Sequence, residues 1–412
     1  MHCCRSRPPH SALAPNANPD RDPYRNTSFT ASVVQRLSAA HELSASLYRQ
    51  QGRAAYDNAF GAPTDTHQID SRSTNLALGW KASLGPNWQS RVTLGANIDE
   101  SDSRTNSDAP ERVHTHSRQL DWRNDVALGA GQTASVGLGT AQQRVASDTA
   151  YDRSSRRTDS LTLGYNADVS ATQVQANLRH DRHSDVGAAT TGLLGAGWRM
   201  TEAWKLLATV STAFNAPTFN LLYFPGFGNP NLKPERARSA ELGAQYASGT
   251  TLARVAWFDT RYRDLIDFPP PNFVPTNIAT ARVKGLEISA SGEWAGWRVR
   301  GSATLQDPKD AAGDTLRRRA RHFGSVDAAR DFGAWRVQAG VATSGARHDT
   351  DLNFDRVELE PYTLLSLSGG YKLASELWLT ARVTNATATN YSTVYAYPAP
   401  ARELHVGIAW RH

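Results

Sequence analysis

The chain has 412 residues, is 40% hydrophobic and 20% charged, and carries a formal net charge of +6 with a pI near 9.4. Its 30 Gly, 11 Trp and 13 Tyr against only two Met suit an all-β protein better than a helical one, and its two cysteines, adjacent at Cys3 and Cys4, exclude a disulfide framework or a cysteine zinc site. No window of about eighteen apolar residues occurs, which excludes a helical span but not a β-barrel, whose strands of about ten residues are apolar only at alternate positions.

Residues 1–23 begin basic but lack the apolar run of about 7–15 residues that a signal peptide needs. They are expected to form an unstructured leader foreign to the fold, with residues 24–412 forming the folded part. From there, short links recur along the chain: SAAH (38–41), LGPN (84–87), GAGQ (129–132), a Ser-Ala pair at Ser170, a Thr-Glu pair at Thr201, ASGT (247–250), WAGW (294–297), FGAW (332–335) and LASE (373–376). Between them lie mostly long links: GRAAYDNAFGAPTDTHQID (52–70), the acidic DESDSRTNSD (99–108), FNAPTFNLLYFPGFGNPNLKPER (214–236), RDLIDFPPPNFVPTN (263–277), DPKDAAGDTLRR (307–318) and SGARHDTDLNFDRVELEP (344–361).

The segments between links alternate with period two. Trp297, Val299, Ala303 and Leu305 oppose Arg298, Arg300, Ser302, Thr304 and Gln306. Trp335, Val337, Ala339 and Val341 oppose Arg336, Gln338, Gly340 and Ser344, and Leu377, Leu379, Ala381 and Val383 oppose Trp378, Thr380, Arg382 and Thr384. In the last segment Leu404, Val406, Ile408 and Trp410 are expected to face lipid while Glu403, His405 and Arg411 face a lumen. A sandwich shows the same alternation, but the regular exchange of tight turns and elaborate loops predicts a meander of hairpins with two unlike rims, as in outer-membrane barrels. Trp204, Trp294, Trp297, Trp335, Trp378 and Trp410 lie near strand ends, where rings sit at a membrane interface.

Basic residues are spread along the whole chain and give no nucleic-acid site. The densest run, RRRAR (317–321), is read as a solvated loop or as a contact to phosphate groups at a membrane surface. Patterns for GxSxG, GxGxxG, Walker A and HExxH are missing, and the twelve His lack ligand spacing, so no enzyme is expected.

The stretches STAFNAPTFNLLYFPGFGNPNLKPERARSAELGAQY (211–246), RYRDLIDF (261–268), NIATARVKGLEISASGEW (277–294) and ARVTNATATNYSTVYAYPAPARELHVGIAW (381–410) resemble the barrel of TonB-dependent outer-membrane receptors, and most of all their cobalamin-receptor branch. The resemblance runs from about residue 24 to the end. It implies an all-β, transmembrane antiparallel barrel of the 22-strand type in a Gram-negative outer membrane. About nineteen strands are legible and nothing resembles the family's plug or TonB-binding segment, so a truncated barrel unable by itself to drive energised uptake is expected. The implied partners are outer-membrane lipid, a small ligand such as cobalamin and, in full-length relatives, TonB. The resemblance also suggests external loops as the ligand site, with Tyr56, Asp57, Phe227 and Asn229 as candidates, and calcium held by Asp57 and Asp65. An iron-chelate receptor, a barrel hydrolase and a surface adhesin remain as alternatives.

Overall fold

The computed structural model describes residues 18, 22–58, 61–129, 131–269 and 272–410. The expected leader lies largely outside the described residues, as do Arg411 and the cysteines.

Most of the chain forms one 19-stranded antiparallel sheet. Its strands in chain order are β1 (Tyr24–Arg36), β2 (His41–Tyr56), β3 (His67–Gly85), β4 (Trp88–Thr105), β5 (Glu111–Gly129), β6 (Gln132–Ser147), β7 (Ser155–Val169), β8 (Thr172–His183), β9 (Gly187–Arg199) and β10 (Trp204–Asn215). After helix α1 (Phe219–Tyr223) come β11 (Glu235–Ser248), β12 (Thr251–Asp267), β13 (Thr276–Trp294), β14 (Trp297–Asp310), β15 (His322–Phe332), β16 (Trp335–Ser344), β17 (Tyr362–Lys372), β18 (Leu377–Thr384) and β19 (Glu403–Trp410). Each strand pairs with its neighbours in sequence; among the described residues β1 pairs only with β2, and β19 only with β18.

The two rims differ as expected. One carries tight turns, such as Ala295–Gly296, where φ values of 48° and 78° give the two positive central residues of a twist-matched hairpin. The other carries the longer links. These are shorter than the sequence suggested, because the strands run on past the apolar band. Asp99, Glu100 and Asp102, expected in an acidic loop, lie within β4, which ends at Thr105, and two of them have side-chain partners: Arg72 reaches Glu100 at 2.8 Å and His114 reaches Asp102 at 2.9 Å.

Register sorts the side chains into two faces. Leu242 of β11, Trp257 of β12, Leu286 of β13 and Leu305 of β14 stand opposite one another in an unbroken apolar row, and Leu242, Trp257 and Leu305 are 58, 41 and 54% exposed. The last strand continues this face, with Leu404, Val406, Ile408 and Trp410 each about two-thirds exposed and Glu403 and His405 on the other row. That other face is wet and charge-compensated. Arg298 and Arg336 share Asp331 at 3.0 and 2.7 Å, Arg123 pairs with Asp125 at 2.9 Å, and Arg254 binds Glu241. A sheet with its exposed face apolar and its enclosed face polar inverts the soluble pattern and suits a wall with lipid outside and water within.

The apolar band has membrane dimensions. On β4 the outward row runs from Trp88 through Val92 and Leu94 to Ile98, which at about 3.4 Å per residue and the usual tilt of about 45° spans roughly 24 Å along the membrane normal. Aromatic rings edge it at the short-turn rim: Trp204 packs on Tyr246 with centroids 5.1 Å apart, Trp335 on Tyr371 at 4.6 Å, and Trp294 is 78% exposed. Trp378 departs from the expected belt. It sits on the polar row, half-buried, with the Arg336 guanidinium 5.3 Å above its ring.

Candidate ligand-binding rim

The longer links are folded rather than loose. The most elaborate, residues 216–234, carries α1, whose N-cap Thr218 accepts a hydrogen bond from the Leu221 N–H through its hydroxyl oxygen at 3.4 Å. Leu222 is 2% exposed, Leu232 5% and Phe219 8%, so the segment has a small apolar core of its own. Burying each such leucine contributes about 1.5–3 kcal/mol.

A buried ion pair docks this segment on the sheet. Arg156 of β7 donates through Nε to both oxygens of Asp185 at 2.9 and 2.8 Å and through Nη2 to the Pro217 carbonyl at 2.9 Å. Its guanidinium lies 5.2 Å from the Phe219 ring. Tyr223 donates its hydroxyl to Asp185 at 3.3 Å, and Tyr151 donates to Asn220 at 2.6 Å. Burial, and then the Asp185 charge, push the Tyr223 phenol above its ordinary pKa, so it remains a donor.

A second hub joins three links. Asp349, fully buried on a short hairpin pairing Arg347–Thr350 with Arg356–Leu359, accepts from Arg318 at 2.8 Å, from the Tyr395 N–H at 2.8 Å and from the Thr350 N–H at 2.9 Å. Burial alone pushes its carboxyl up, but Arg318 and the two N–H donors outweigh that and hold it below the usual carboxylate range. The RRRAR run is therefore a brace, since Arg318 serves Asp349, Arg317 donates to Thr350 at 3.3 Å and Arg321 to Thr315 at 3.0 Å.

The expected site residues fall into two groups, on the β2–β3 and β10–β11 links. Seven inter-strand gaps separate them, roughly 34 Å of wall at about 4.8 Å each. Tyr56 stacks on His67 at 5.4 Å and is 36% exposed. Asp57 is 4% exposed, and its Oδ1 accepts from the Asn18 N–H at 3.1 Å. Asp65 accepts from Asn106 at 2.9 Å and from the Ala62 N–H at 3.0 Å, and these two bonds hold its carboxyl below the ordinary range. Calcium wants about six to eight oxygens. Both aspartates serve as loop braces, and among the described residues no three His, Cys, Asp or Glu side chains gather as a metal group.

Phe227 is 36% exposed and stacks on Phe268 of the neighbouring link at 5.7 Å. Asn229 is a clamp: its Nδ2 donates to the Pro275 carbonyl at 2.9 Å, its Oδ1 accepts from the Asn231 N–H at 3.0 Å, and its N–H donates to Leu221 at 2.8 Å.

The rim also builds a site that sequence reading missed. A pocket of about 270 Å³ among the links after β14 and β16 is lined by Arg319, Arg321, Arg347 and Arg356 with His348 and Glu358. The Arg347 Nε is buried without a hydrogen-bond partner. Burial, followed by the charge of Arg356, holds the His348 imidazole below its ordinary pKa. Such a pocket is built for an anion.

Known proteins agree with this architecture. The chain is 25% identical over 406 residues to the vitamin B12 transporter BtuB of Photobacterium profundum and 27% identical over 391 residues to that of Vibrio vulnificus, covering 95 and 92% of this chain but 65 and 62% of theirs. It thus spans somewhat less than two-thirds of the length of these curated relatives. Among solved structures, the siderophore receptor PirA of Acinetobacter baumannii superposes with a TM-score of 0.81 at 16% identity, covering 95% of this chain and 71% of PirA. The ferric enterobactin receptor PfeA of Pseudomonas aeruginosa does so at 0.79 and 18%, covering 98 and 71%. These relatives are receptors and transporters, in keeping with the expectation that the chain is not an enzyme. The family profile "TonB dependent receptor-like, beta-barrel" matches residues 8–386, and with the two-faced 19-stranded wall in place the chain belongs to the TonB-dependent receptor β-barrel family.

Proposed function

We propose that this chain is the membrane wall and ligand-gathering rim of an outer-membrane receptor that imports a scarce nutrient, with cobalamin as ligand and TonB as the energising partner. The observation that carries this reading is the wall itself: an apolar outward band about one bilayer core deep, edged by aromatic rings on the tight-turn rim, around a polar inner face. The tight-turn rim faces the periplasm and the braced links face the exterior. Cobalamin is favoured by the sequence relatives, which carry vitamin B12 in their names.

A second reading has its own support. The four-arginine pocket suits a polyanionic iron chelate better than a largely neutral corrinoid, and the structural neighbours include receptors for such chelates. Both readings are tested on the refolded 412-residue chain in detergent. Saturable binding of cyanocobalamin that ferric tris-catecholate does not displace supports the first; ferric catecholate binding that Arg347→Gln and Arg356→Gln abolish supports the second. Binding of neither, by a chain that inserts into liposomes and is protected there from protease, refutes both.

A further inference from the structure

The four-arginine pocket is also a junction between two links of the rim. The link after β14 brings Arg319 and Arg321 to it, and the hairpin in the link after β16 brings Arg347, His348, Arg356 and Glu358. That hairpin has two faces. On one, Asp349 stands opposite Val357 and Arg347 opposite Leu359, and Asp349 and Leu359 are buried. On the other, His348 stands opposite Glu358 and Thr350 opposite Arg356, and from this face His348, Arg356 and Glu358 reach the pocket.

The two links are joined beside the pocket. The Arg318 N–H donates to the His348 carbonyl at 2.8 Å, and its guanidinium donates to Asp349 at 2.8 Å. Arg318 has φ of 59°, in the left-handed region, where an L side chain is strained and persists only when its surroundings hold it. Chain direction changes there. Arg317 and Arg318 donate to the hairpin, while Arg319 and Arg321 line the pocket.

Charge inside the pocket is not balanced. With His348 neutral at pH 7, four guanidinium groups share the space with one carboxylate, Glu358. Among the described residues no carboxylate lies within ion-pair distance of Arg319, Arg321, Arg347 or Arg356. Like charges gathered in one cavity repel, so the cavity pushes apart the links that Arg318 holds together. Arg347 is fixed at its wall: Nη2 donates to the Ser392 carbonyl at 3.2 Å, the Tyr362 ring lies 5.0 Å from the guanidinium, and Nε is the buried donor without a partner.

Size and shape narrow the ligand. A volume of about 270 Å³ falls below the roughly 300–1,000 Å³ of a pocket that encloses a drug-sized molecule, so this one takes a small ion or one end of something larger. Planar forks that arrive from two separate links suit a group whose oxygens point in several directions, which a tetrahedral oxyanion has and a flat carboxylate lacks.

We propose that this pocket binds a phosphate group, as the free ion or a phosphate monoester, and that the bound group locks the links after β14 and β16 together. Phosphate here is an effector of the rim, not cargo. The inference rests on the pocket being an anion site, as in the second reading above, but not on what is imported.

The test uses the full chain refolded in zwitterionic detergent, with binding read by calorimetry and locking by hydrogen exchange. Inorganic phosphate should bind saturably, and at about a hundredfold above its Kd it should slow exchange of the Arg318 and Tyr395 amides, which donate into the hairpin, by about ten- to a hundredfold. The Leu222 and Gly228 amides of the α1 segment should not respond. Chloride and acetate at the same ionic strength should not substitute. Competition by glycerol phosphate assigns the site to esters, and its failure to compete assigns it to the free ion.

Arg319→Gln with Arg356→Gln should abolish binding and locking, yet without phosphate it should exchange no faster than wild type, because the cations it removes repel. The paired Lys substitutions should bind about tenfold more weakly, keeping charge without the fork, and Arg49→Gln should change nothing. Absent binding, binding without slowed exchange, equal binding of acetate, or faster exchange in the phosphate-free double Gln variant would each overturn the proposal. Phosphate that binds and locks while ferric tris-catecholate neither binds nor displaces it refutes only the iron-chelate reading. Ferric tris-catecholate that binds in the pocket while phosphate does not refutes only the lock.

Discussion

Removing Asp185 should undock the α1 segment while leaving the wall in place. Asp185 is fully buried and its partner Arg156 has only 7% of its side chain exposed, so Asp185→Ala strands a buried cation. Breaking a buried pair from one side costs about 3–5 kcal/mol. The lower end applies here, because Arg156 keeps the Pro217 carbonyl and the Phe219 ring. A loss of about 3 kcal/mol raises the open population of the segment by roughly a hundredfold. Hydrogen exchange reads this at the amides that close the segment on itself: Leu222 to Thr218 at 3.1 Å, Gly228 to Phe224 at 2.7 Å and Asn229 to Leu221 at 2.8 Å. Amides in the middle of β10 and β11 should not change. Replacing both partners by apolar residues, Arg156→Met with Asp185→Leu, should restore protection to within about 1 kcal/mol, since the penalty comes from the unpaired charge. If exchange at those three amides rises less than about threefold in Asp185→Ala, or the double variant is worse than the single, the docking argument is wrong.

Three further outcomes are expected. Leu242→Arg, in the middle of the outward band, should lower the free energy of insertion into liposomes by about 2–4 kcal/mol, whereas Gln245→Arg on the inward row should not; equal effects in a folding titration would mean the faces are misassigned. Asp349 has a folded pKa below its unfolded value of about 3.9, so its stabilisation is complete above that value and is lost as pH falls through the folded pKa. Proteolytic protection of residues 347–359 should accordingly hold from neutral pH to about pH 5 and fall in stronger acid, while Asp349→Asn should be unprotected already at neutral pH and show no acid transition. Asn229→Ala removes two side-chain hydrogen bonds and should loosen the link between Phe227 and Phe268 by about 1–2 kcal/mol, visible as faster exchange around residues 226–232 with no loss of wall stability.

The wall was legible in the sequence because its signals are local. Period two along 297–306, 335–344 and 377–384 sorts lipid from lumen within a single strand, and links such as Ala295–Gly296 mark their own turns; the expected rows match the observed faces there and in 404–410. Charge was not legible in this way. The conspicuous run at 317–321 proved to be a brace for Asp349, whereas a row of opposed cations is assembled from Arg238, Arg261, Arg282 and Lys309, each a hairpin apart in sequence and adjacent only once the register of β11–β14 is set. The candidate site residues show the same limit. Asp57, Asp65 and Asn229 have the chemistry of ligands, but other groups occupy them: the Asn18 N–H, the Asn106 side-chain amide and the Pro275 carbonyl, all distant in sequence, and the nearby Ala62 N–H. Pattern along a strand is set by which side faces lipid, a property each residue carries alone. Charge balance and hydrogen-bond satisfaction are properties of pairs, and only the folded sheet decides which pairs meet.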